Sequence, residues 1–82
     1  MDTGKYANLL ASAIKDAITE SGKSMGSVAE CAGIPWATFS RRLNRADRYP
    51  FTVSDIVAIS EVLGIDFLQL MEEADRRYRL AA

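Results

Sequence analysis

The residues best equipped for chemistry are four arginines. Arg41, Arg42, Arg45 and Arg48 crowd into residues 34–50, where Asp47 is the only acid. A guanidinium is permanently charged and carries a planar fork of N–H donors that matches anionic oxygens. Set in a chain of formal net charge -1, the run is a local footprint for an anion, not a property of the whole protein. The chain has no histidine, so histidine-assisted nucleophilic catalysis and the common zinc sites lack their usual residue. The acids Asp66, Glu72 and Glu73 lie at helix ends and faces without a phosphate-cradling loop nearby. No enzyme, metal, cofactor or small-molecule ligand is expected from this set. Cys31 is the only cysteine. An internal disulfide is thereby excluded, and a reducing, cytoplasmic setting is expected.

These arginines need a frame to hold them. Eighty-two residues suffice for one domain, 1–82, and a chain this short must share one core among all its elements. Apolar residues are 49% and charged residues 26%, which is the balance of an ordered globular domain and not of a disordered tail. Unbroken apolar runs are no longer than four residues, so no membrane span is expected, and the start shows no signal-peptide pattern.

The patterning is helical throughout, which predicts an all-α fold of five helices. The first covers about residues 6–21, with Leu10, Ala13, Ile14, Ala17 and Ile18 on one stripe and Gly22 as its stop. The second covers about 25–32, with Ser24 placed to cap it and Gly33 to end it. The third runs from about Pro35 to Asn44, proline being harmless at a first helical position. The fourth starts at Thr52, three residues before Asp55, as a capping box does. Val53, Ile56, Ile59 and Leu63 supply its apolar stripe and Gly64 its stop. The fifth, about 66–80, carries Phe67, Leu70, Met71, Ala74 and Tyr78 on one face.

The second and third helices are joined by a very short turn and carry a specific spacing. Ala29 is small where two backbones must approach. Gly33, four residues on, tolerates a left-handed turn. Phe39, six further, anchors the third helix, and Val28, Ala32 and Leu43 complete the contact. On a helical wheel Phe39 and Leu43 mark the buried side of the third helix. Arg41 lies opposite them, and Ala37, Thr38 and Arg45 are near it.

Over residues 6–71 the chain resembles the phage-repressor and Cro-like (XRE-type) helix-turn-helix family. VAECAGIPWATFSRRLN matches the two-helix unit, about residues 24–44, and FTVSDIVAISEVLGIDFLQL matches the fourth and fifth helices. Two departures stand out. Arg42 occupies the place where many members bury a leucine, and Arg45 replaces a glycine after the third helix. The resemblance implies a lambda-repressor-like, sequence-specific DNA-binding domain: a phage or bacterial transcriptional repressor that occupies a double-stranded DNA operator, often as a homodimer. It also implies that the third helix enters the major groove. Arg41 would then reach guanine edges, with Ala37, Thr38 and Ser40 beside it. Trp36 is either a base contact or an edge of the core. Lys23, Ser24 and Ser27, at the start of the second helix, would meet phosphates, as would Arg42, Asn44, Arg45 and Arg48. The competing reading is an antitoxin-like or adaptor module on the same scaffold that binds protein instead of DNA.

The fifth helix extends further than the family pattern requires. Its apolar face must fold back on the first helix or pair with a second copy. Pairing is the expectation drawn here, with Met71, Ala74 and Tyr78 at the contact and the charges of residues 72–79 interdigitating with those of the partner.

Overall fold

The computed structural model describes residues 1–81. Five α-helices follow one another: α1 (Thr3–Ser21), α2 (Met25–Ala32), α3 (Trp36–Asn44), α4 (Val53–Leu63) and α5 (Phe67–Ala81). No strand occurs among the described residues. The all-α architecture expected from the hydrophobic periodicity is present, with boundaries that differ by a few residues at the ends. Helix α1 begins at Thr3 because the Asp2 carboxylate accepts from the Lys5 N–H at 3.0 Å and caps it. Pro35 sits just outside α3 as its N-cap instead of within the first turn. Thr52 and Asp55 form the reciprocal capping box that the sequence foreshadowed, each side chain accepting from the other's backbone N–H.

The core is built from every element. Ile14, Ile18, Val28, Phe39 and Ile59 are completely enclosed, and Leu10, Ala13, Ile56, Leu70 and Ala74 are buried around them. Ile34, Ala46 and Phe51 join this core from the connecting segments. Val53 does not: it stands 69% exposed at the first position of α4, before the helix turns its apolar side inward.

The turn between α2 and α3 depends on Gly33, whose φ is 74°. Its N–H donates to the Glu30 carbonyl at 3.1 Å, and the Ile34 N–H reaches back to Ala29 at 2.9 Å. The last carbonyls of α2 are thereby satisfied while the chain reverses. A Cβ at Gly33 would meet no atom within 4 Å, so the cost of a side chain there is backbone strain alone. Gly33→Val is expected to lose about 1–3 kcal/mol, a fall in Tm of at least about 4 °C. Gly33→Asn should lose less, since asparagine tolerates the left-handed region. Equal melting of wild type and the valine variant would refute this account of the turn.

Helix α5 folds back along α1. Ala74 is 0% exposed. The Tyr6 and Tyr78 rings lie 5.2 Å apart, the Asp2 N–H donates to the Tyr78 hydroxyl at 2.9 Å, and Lys5 Nζ donates to the Ala81 carbonyl at 3.1 Å. Burial, and then the nearby Asp75 carboxylate, push the Tyr6 phenol above its ordinary pKa. Arg77 bridges the pair, 2.9 Å from Asp16 on α1 and 2.7 Å from Glu73 on α5. The chain itself thus covers much of the face expected to meet a second copy. Ala74 has no surface to offer, Tyr78 is engaged with the chain's own N-terminus, and Met71 packs half-buried against the core. The arginines of α5 already have partners in the same chain: Arg76 with Glu73 at 2.8 Å, and Arg79 with Asp75 at 2.6 Å.

Hydrogen bonds from Arg76 and then Arg77 hold the Glu73 carboxyl down, from 4.5 to about 2. A carboxyl whose pKa falls on folding stabilises the fold above its unfolded pKa and loses that contribution as the pH drops through the folded value. The contribution of Glu73 should therefore fade between about pH 4.5 and about pH 2. Urea denaturation at a series of pH values, on wild type and Glu73→Gln, tests this. The variant should be less stable near neutrality, and the two stabilities should converge across that window. Curves that stay parallel would show that the ionisation of Glu73 is not the source of any difference.

Candidate functional site

Helix α3 is held by its apolar side and free on the other. Phe39 is fully enclosed, its ring 5.9 Å from Phe51 and edge-on to it, and Leu43 is buried one turn later. The opposite face carries Ala37, Arg41 and Arg45, all exposed, as the wheel required. Thr38 and Ser40 lie half-buried on the two flanks. Trp36 is 55% exposed, its ring 6.2 Å from Phe39, so the indole sits on the rim of the core with an open face.

The chain has seven arginines, and they divide sharply. Arg76, Arg77, Arg79 and Arg42 each pair with a carboxylate. Arg41, Arg45 and Arg48 have no carboxylate partner among the described residues. The unpaired guanidiniums therefore all lie on α3 or in the loop that follows it. Lys23 is likewise exposed without an acid partner, beside Ser24 and Ser27 at the start of α2.

Three expected contact residues turn out to be engaged inside the molecule. Arg42 pairs with Asp55, the same carboxylate that completes the α4 capping box, and so ties α3 to the start of α4. Asn44 donates to the Ser40 carbonyl at 2.9 Å and accepts from Lys15 Nζ at 3.4 Å, joining the end of α3 to α1. The Ser24 hydroxyl accepts from the Ser27 N–H at 3.1 Å as the cap of α2. Arg42 and Asn44 thus have structural work, and an incoming anion would have to compete with Asp55 for Arg42.

Tyr49 escaped the sequence reading. The Arg41 guanidinium lies 5.8 Å from the centre of the Tyr49 ring, within cation–π range. The two are eight residues apart with an irregular loop between them, a separation for which no periodicity gives a signal.

Among the described residues no group of histidine, cysteine or acidic side chains could hold a metal ion, and no helix is long and apolar enough to cross a membrane. In comparisons with known proteins, the chain matches no family model, no curated protein and no solved structure.

Proposed function

We propose that this protein binds double-stranded DNA in a sequence-specific way through the exposed face of α3, and acts as a repressor-type transcriptional regulator of phage or bacterial kind. One observation carries the reading: the arginines without carboxylate partners gather on α3 and its following loop, while those elsewhere are neutralised. A guanidinium without a partner is free to take a phosphate or a base edge. The short turn at Gly33 and the enclosed Phe39 support the same reading, because they brace α3 on one side and leave the other free to enter a groove. The resemblance to Cro-like regulators in the α2–α3 segment agrees with it. Arg41 would read bases, with Ala37 allowing close approach, while Arg45, Arg48 and Lys23 would meet phosphates.

The antitoxin-like or adaptor reading draws on Trp36, an exposed indole beside an apolar rim, the kind of side chain that anchors protein interfaces. A salt titration of binding to mixed duplex DNA separates the two. Three free cations on phosphates give a slope of log K against log salt of about −3. A flat titration, or no binding at low salt, would defeat the DNA reading. Selection from random duplexes then gives the site, and palindromic half-sites about one helical turn apart would mark a homodimer.

A further inference from the structure

We infer that Tyr49 is a positioning residue for base reading: its ring holds the Arg41 guanidinium in the orientation that discriminates a base. The inference rests on the DNA-binding reading of α3. The loop that carries Tyr49 is pinned at several points. Ala46 is 1% exposed and Phe51 is buried in the core, so both ends of the segment are anchored. The Asp47 N–H donates to the Asn8 side chain at 3.1 Å, which fastens the loop to α1. The Tyr49 N–H donates to the Arg45 carbonyl at 2.8 Å, and the Arg48 N–H shares the same acceptor at 3.0 Å. These bonds set the Tyr49 backbone against the end of α3. Tyr49 as a whole stays 45% exposed, with the guanidinium 5.8 Å from the centre of its ring.

Arginine makes this useful because its face and its edge do different work. A cation–π contact draws on the charge of the guanidinium and needs no acceptor oxygen, whereas all five N–H donors lie in the guanidinium plane and point outward. Among the described residues no hydrogen bond joins the Tyr49 hydroxyl to Arg41, so those donors remain available to a guanine edge. An unrestrained arginine loses much rotamer freedom when it docks. Part of that ordering is already complete here before DNA arrives. The restriction acts on position as well: a guanidinium kept beside one ring meets one base pair well and its neighbours poorly. Arg45 and Arg48 have no such ring, consistent with contacts to phosphate that need no fixed plane.

The test compares Tyr49→Phe with Tyr49→Leu on the duplex recovered by selection. For each protein the readout is the ratio of affinities for that duplex and for one altered at the base pair that Arg41→Ala ceases to distinguish. Tyr49→Leu should lower the ratio about two- to fivefold, the worth of an exposed cation–π contact, and Tyr49→Phe should keep it. In an Arg41→Ala background, Tyr49→Leu should change nothing further. Upfield ring-current shifts of the Arg41 side-chain protons, measured on the free protein, should be present in wild type and Tyr49→Phe and absent in Tyr49→Leu. An unchanged ratio in Tyr49→Leu overturns the inference while leaving DNA binding intact. So does an equal loss in Tyr49→Phe, which would make the hydroxyl a DNA contact, or a loss that persists without Arg41. A wild type that binds no duplex overturns the DNA reading itself, and the positioning role falls with it.

Discussion

Phe39→Ala will lower the unfolding free energy by about 3–5 kcal/mol, the largest loss expected from any single substitution in α3. A domain of this size has roughly 4–12 kcal/mol in total, so the variant will be marginally folded at best. The magnitude follows from position. Phe39 is wholly enclosed, stacks edge-on against Phe51 and lies under Trp36. It is the larger of the two buried side chains on the inner face of α3, with Leu43 one turn on. Truncation leaves a void bounded by α3 and by the Phe51 segment, and Phe51 is fixed at the entry to α4 by the Thr52–Asp55 box. Such a void collapses poorly, which places the loss toward the upper end of the range. Phe39→Leu keeps most of the volume and should lose far less. Urea denaturation followed by far-UV circular dichroism checks both. A loss under about 1 kcal/mol in the alanine variant would mean that α3 is not seated on this ring.

The same residues show what sequence alone conveys and why it stops. Helix stops were legible because Gly22, Gly33 and Gly64 all take positive φ, which few other residues accept. The Thr52–Asp55 box was legible because both halves lie within one turn of each other. Phe39, Leu43 and Arg41 were legible because a helix nine residues long has only one way to bury two apolar residues four apart. Contacts that close across the chain leave no such trace. Ile34, Ala46 and Phe51 enter the core from segments without periodicity. Arg42 looked like a free cation on a flank, and only the approach of α4 gives it Asp55. The apolar face of α5 was visible from its spacing, but spacing does not say what covers a face. Tyr6, Lys5 and Asp2 decide that by clasping its far end to α1. Local bonds and periodic faces are thus written in the sequence, and the pairing of charges that separates structural from free arginines is not.

That distinction governs the second large effect. Arg41→Ala should weaken binding to the selected duplex by about 1–3 kcal/mol and relax base preference at one position. The fold should barely respond, since Arg41 is exposed and has no carboxylate partner among the described residues. Its guanidinium lies 5.8 Å from the Tyr49 ring, a contact worth little at an exposed site, and the melting temperature should stay within a few degrees of wild type. Arg45→Ala and Arg48→Ala supply the contrast. A cation that meets phosphate lowers affinity for every duplex alike and reduces the salt slope by about one, leaving base preference as it was. Arg42→Ala should behave differently again: it strands Asp55 without its guanidinium partner and should lower the melting temperature. Affinities of the four variants for the selected duplex and its single-base relatives, at two salt concentrations and alongside melting curves, distinguish the three roles. If Arg41→Ala weakens all duplexes equally, Arg41 is another phosphate contact and base reading belongs to other residues of α3. If it changes neither affinity nor preference, the exposed face of α3 does not meet DNA.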